Sequence, residues 1–103
     1  MHVTETGNGL ISIAWEAPKT DGGAPISAYL VETCLSVSTN WRRAGLVDGN
    51  TMSFNLTGLV EGDYYFVRVY SENEAGRSRR AAEILEPVRA KQPSSKFLDS
   101  SDN

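Results

Sequence analysis

A chain of 103 residues, 40% of them apolar, is long enough to bury one core without metals or cross-links. Its net charge of -3 gives no support to generic phosphate contacts with nucleic acid, and no apolar run approaches the ~18 residues that a membrane span needs. The single cysteine, Cys34, excludes an intradomain disulfide and points to a reducing compartment, where it reads as a small buried hydrophobe in a strand.

The first element is a short strand at Val3-Thr4-Glu5-Thr6, stopped by the turn Gly7-Asn8-Gly9. Residues 10–16 then alternate. Ile11, Ile13 and Trp15 face one way and Ser12, Ala14 and Glu16 the other, which predicts a half-buried strand with Trp15 as its largest anchor. Pro18 ends it, because proline has no N–H to give to a ladder. Asp21-Gly22-Gly23-Ala24-Pro25 is a structural turn. It lacks the spacing and the trailing Lys-Ser/Thr of a phosphate loop.

Residues 26–35 form the next predicted strand, with Tyr29, Val31 and Thr33 on one face and Leu30, Glu32 and Cys34 on the other. A shorter strand follows at residues 41–46, near a sheet edge, where Arg42 and Arg43 discourage edge-to-edge association. Val47-Asp48-Gly49-Asn50 turns the chain into a strand at residues 52–57, with Phe54 and Leu56 inward and Leu59 plugging the corner beyond. Residues 63–73 are dense in aromatic and β-branched residues, which suit a pleated surface. There Tyr65, Val67, Val69 and Ser71 oppose Tyr64, Phe66, Arg68, Tyr70 and Glu72.

Residues 79–86 favour helix by propensity alone, but Pro87 would end such a helix after two turns. We therefore expect a final edge strand over residues 82–88, giving six or seven short strands in a β-sandwich or small barrel. The expected inward set is Ile11, Ile13, Trp15, Tyr29, Val31, Phe54, Leu56, Leu59, Tyr65, Val67 and Val69. From residue 93 the composition is that of a flexible, weakly acidic tail.

Catalytic parts are missing. His2 is the only histidine and forms no nucleophile–base pair with Cys34, and the same count removes zinc sites. Asp21, Asp48 and Asp63 sit on separate loops without calcium-loop spacing. No catalytic residue, cofactor or metal is expected. Asn55-Leu56-Thr57 is a glycosylation sequon in mid-strand, read as chance, and Arg77-Ser78-Arg79-Arg80 is read as a solvated loop rather than a targeting patch.

The order of features over residues 3–92 resembles a fibronectin type III domain: Trp15 before Pro18, Tyr29-Leu30-Val31-Glu32, Leu59-Val60-Glu61-Gly62-Asp63-Tyr64-Tyr65, Val67-Arg68-Val69 and Asn73-Glu74-Ala75-Gly76. The resemblance implies an all-β, immunoglobulin-like β-sandwich of seven strands. The family's proline-rich entrance is missing here, so the first strand is expected to be clipped or unusually paired. It also implies a corner tyrosine six residues after the corner leucine, which selects Tyr65 over Tyr64. Residues 1–92 are read as this domain and residues 93–103 as a tail or linker. The structural core by this reading rests on Trp15, Tyr29, Leu59, Tyr65, Val67 and Val69.

Asp21-Gly22-Gly23-Ala24-Pro25-Ile26, Trp41, the run from Tyr65 to Gly76 and the exit Pro87-Val88-Arg89-Ala90-Lys91 look like the domains of the titin- and twitchin-like giant muscle proteins. That likeness implies a spacer and scaffold in a tandem array, in the cytoplasm of the sarcomere. Its implied partners are neighbouring immunoglobulin-like or fibronectin type III domains and myosin or other filament proteins, with no nucleic acid and no membrane insertion. The alternative is a fibronectin type III module of a cell-surface receptor or adhesion protein. Interfaces are enriched in arginine and aromatic residues, so Arg42, Arg43, Phe66, Arg68, Tyr70 and Arg77 are the candidate partner-binding positions, for an acidic partner.

Overall fold

Alternating apolar and polar residues give the chain two antiparallel sheets in the computed structural model, which describes residues 1–18, 25–78 and 81–91. The strands are β1 (His2–Gly7), β2 (Leu10–Ala14), β3 (Ala28–Leu35), β4 (Arg42–Asp48), β5 (Ser53–Leu56), β6 (Tyr64–Asn73), β7 (Gly76–Arg77), β8 (Ala82–Glu83) and β9 (Val88–Arg89). One sheet has the order β1-β2-β5. The other runs β4-β3-β6, with β7, β8 and β9 all paired to the far side of β6. The architecture is an immunoglobulin-like β-sandwich, all-β among the described residues.

The last lane differs from the unbroken strand expected over residues 82–88. It is three short pieces, in which Arg77 meets Glu72, Ala82 meets Val69 and Val88 meets Tyr65. Pro87 sits in the gap between β8 and β9, where a missing N–H costs the ladder nothing. Pairing to β6 overrides the local helix propensity. β1 is paired along its length with β2, with a register shift between Val3 and Glu5 that marks a bulge. β4 starts one residue after Trp41 and runs through Asp48, which shortens the turn expected there. The glycine-rich turn from Asp21 to Ala24, the cations Arg79 and Arg80, and the tail beyond Lys91 lie outside the described residues.

Between the sheets, Ile11, Ile13, Trp15, Tyr29, Val31, Leu56, Leu59, Tyr65, Val67, Val69 and Ala90 form one buried cluster. Phe54 packs against it from the edge and is only partly buried. The Trp15 and Tyr29 rings meet edge-on, with centroids 5.5 Å apart, which suits the aromatic quadrupoles. Burial raises the Tyr29 hydroxyl pKa above its ordinary value.

At one end of the sandwich Leu59 is buried, and the Val60 N–H donates to Tyr65 Oη at 2.9 Å. Tyr65 is 3% exposed and Tyr64 46%. At the opposite end, Gly49 follows β4, and a Cβ there would run into the Ile26 carbonyl, so only glycine permits the two backbones to approach.

Both ends of the sandwich can be probed by substitution. Tyr65→Phe leaves the Val60 N–H without its acceptor and should cost about 1 kcal/mol or more in urea unfolding, with Tyr64→Phe costing less. Equal losses would place the corner elsewhere. Gly49→Ala should cost about 1–3 kcal/mol by overpacking; an unchanged melting curve would show that the turn and Ile26 are not in contact.

Candidate protein interface

The outer face of the larger sheet is set by the pairing of β3 with β6. That register puts Leu30 opposite Tyr70, Glu32 opposite Arg68 and Cys34 opposite Phe66. Because side chains alternate along a strand, these residues share the side facing away from the core. β4 continues the face, with Leu46 beside Leu30 and Arg43 beside Glu32.

Arg68 is the hub. Its Nε and Nη2 both reach Glu32 Oε1, at 2.8 and 2.7 Å, and the two side chains are 24% and 14% exposed. The guanidinium carbon lies 3.9 Å from the Trp41 ring centroid and 5.2 Å from that of Tyr70. A cation between two aromatic faces, charge-paired and partly shielded from water, is held far more firmly than an exposed arginine. Arg77 also stands by Tyr70, 5.4 Å from the ring centroid and 3.7 Å from Glu72 Oε2. Arg77 is half exposed, so its ion pair contributes little.

Beneath this layer lie Leu30 and Cys34, 3% and 4% exposed although they face away from the main core. Trp41, Phe66 and Tyr70, all partly buried, belong to the same outer layer. Burial raises the Cys34 thiol pKa, with Arg68 pulling weakly the other way, so Cys34 is a poor nucleophile. Its Sγ–H points to the Ser38 carbonyl at 3.8 Å.

The six arginine and aromatic positions singled out in the sequence therefore divide. Phe66, Arg68, Tyr70 and Arg77 stand on or beside β6, and Arg68 and Arg77 already have anionic neighbours. Arg42 and Arg43 are exposed on the edge strand β4 and form no ion pair among the described residues. Two members of the cluster, Glu32 and Trp41, were not among the six. A signal for Glu32 exists: it is the one charge in β3, and it recurs opposite the mid-strand cation of β6. Trp41 carries no such signal, since it lies just outside β4 and reaches Arg68 only in the folded chain.

The fibronectin type III domain model matches residues 1–87. Titin of Drosophila melanogaster is 33% identical over 88 residues, covering 85% of this chain and, to the nearest per cent, 0% of that protein. The fast-type myosin-binding protein C of Gallus gallus is 33% identical over 79 residues, covering 77% of this chain and 7% of that protein. Domains A168–A170 from titin, a solved crystal structure, superpose with a TM-score of 0.79 at 29% identity, over 87% of this chain and 30% of that one. The chain thus spans a small part of the length of the relatives it matches. With its two-sheet topology, its tyrosine corner and this match, the chain belongs to the fibronectin type III domain family.

Proposed function

We propose that this chain is a non-catalytic structural and protein-binding module of a sarcomeric filament protein, acting in the cytoplasm as spacer and scaffold in a tandem array. The observation that carries this reading is the shared likeness to a titin and to a myosin-binding protein C, each 33% identical over most of the chain. Residues 1–92 are the module in this reading, and residues 93–103 are its tail or linker. Its neighbours are immunoglobulin-like or fibronectin type III domains, and myosin or another filament protein is its further partner. His2 is exposed at the start of β1, and Cys34 is buried on β3 with a raised thiol pKa, which supports a role in binding rather than chemistry.

The outer face is the proposed contact surface, and its residues have two roles. Glu32, Trp41, Arg68 and Tyr70 are its framework. Arg43, beside Glu32, presents charge on that face to an acidic partner, and Arg42, beside Thr33, presents charge from the other side of the same edge strand. A second reading, a cell-surface module, rests on the exposed Asn55 of the sequon, whose Oδ1 accepts from Ser12 Oγ at 2.8 Å. A glycan on Asn55 of the native protein, found by mass spectrometry, would favour that reading over the filament one.

A fluorescent fusion of the chain added to skinned myofibrils should bind in a striated pattern. Reversing both charges, Arg42→Glu with Arg43→Glu, should weaken that binding by about tenfold without moving the melting temperature; unstriated or unaffected binding would sink the proposal. The framework behaves in the opposite way. Glu32→Ala and Arg68→Ala should each cost about 1–3 kcal/mol, and the double substitution less than their sum. Additive losses in that cycle would show that the pair is not coupled.

A further inference from the structure

After β8 the chain continues along the edge of β6 as a strap. The Ile84 N–H donates to the Val67 carbonyl at 3.1 Å, but Leu85 is 86% exposed and Glu86 and Pro87 face solvent. Pairing with β6 resumes only at β9, two residues long. Ala90 then closes the strap. Its N–H donates to the Asp63 carbonyl at 2.9 Å, and its own carbonyl accepts from the Gly9 N–H at 3.1 Å and the Gly62 N–H at 3.0 Å.

Both donors to that one oxygen are glycines with positive φ, 76° at Gly9 and 87° at Gly62, a conformation that L side chains avoid. Gly9 belongs to the β1–β2 turn and Gly62 to the corner that leads into β6, so a single carbonyl ties the first sheet to the second. The Ala90 side chain is fully buried in the main core. From outside, Arg89 Nε donates to the Gly62 carbonyl at 3.0 Å while its guanidinium lies 5.7 Å from the Tyr64 ring centroid.

We propose that residues 85–91 are a latch, closed at Ala90, that opens as one unit while the rest of the sandwich stays folded, and that tension along the chain acts on it first. The strap is held by a two-residue strand, the Val88 and Ala90 side chains, three backbone bonds and the exposed Arg89 contacts, whereas β6 pairs with β3 along the whole of β3. Stability is uneven in such a fold, and short, solvent-bounded segments occupy its low end. Force arriving from the C-terminal side reaches Lys91 and Ala90 before β9. Opening would release on the order of 20 Å of extended chain, at about 3.4 Å per residue, and uncover the edge of β6 at Tyr64 and Tyr65. Only the tension clause rests on the filament reading.

Native-state hydrogen exchange on the full chain tests the latch. The amides of Gly9, Gly62 and Ala90 should exchange with one common rate of opening and one common denaturant dependence, about tenfold or more faster than the amides that bond β3 to β6. Ala90→Pro removes a donor and should speed Gly9 and Gly62 further, leaving the β3–β6 amides unchanged. Exchange of all three amides at the β3–β6 rate would mean that the strap opens only on global unfolding, and three unrelated rates would mean that it is no unit. Either result overturns the proposal, and the wild-type chain decides even where the variant fails to fold. Pulling the chain by its ends should give an early step on the order of 20 Å before the main rupture. A single rupture of full length would overturn the tension clause. Neither measurement involves a filament, so failure here is separable from failure of the proposed function.

Discussion

The pairing of β3 with β6 is the constraint on which the other features depend. Eight consecutive residue pairs, from Ala28 with Glu72 to Leu35 with Tyr65, fix both faces of the larger sheet at once. On the inner face it stacks Val31 on Val69 and Thr33 on Val67, and Thr33 Oγ1 is satisfied by donating to the Phe66 carbonyl at 2.8 Å. On the outer face the same register brings Glu32 to Arg68. A slip of one residue would send those two charges into the core and the valines into water, so the register is strongly specified. Charge pair and core are two sides of one decision.

That coupling explains the electrostatic character of the face. Arg68 is neutralised by Glu32 and lies between two rings, and Arg77 stands near Glu72, so most of the charge along β6 cancels locally. What remains on that face is Arg43, with Arg42 on the other side of the same edge strand. Exposed charges of this kind are screened within about 10 Å at moderate salt, and such charges in general contribute to steering and selectivity more than to tight binding.

Much of the fold could be read from alternation alone. The strands around Ile13, Val31, Phe54 and Val67 each keep a period of two, whereas the corner at Tyr65 came from the family resemblance and not from alternation. Less legible was the last lane. The sequence around Ala82 and Glu83 carries helix propensity, and the strand character of those two residues comes only from β6 alongside. Ala90 was illegible for another reason. A lone alanine after Pro87 has no periodic neighbours, and its value lies in backbone bonds that a side-chain pattern does not record. On the outer face, the arginines are visible in the sequence but their states are not. Whether an arginine is tied or free depends on the side chain opposite, and Arg68 and Arg43 look alike until Glu32 is placed nearer to one of them.

Ala90 also bears on where such a unit can be divided. The family pattern is satisfied by residue 87, yet the carbonyl that joins the two sheets lies three residues further on. A fragment ended at Pro87 would keep every feature by which the family is recognised. It would still leave a methyl-sized hole in the core and hand the Gly9 and Gly62 amides to water. Excision by sequence likeness and excision by structure would yield different molecules, and only the second would retain the carbonyl that joins the two sheets.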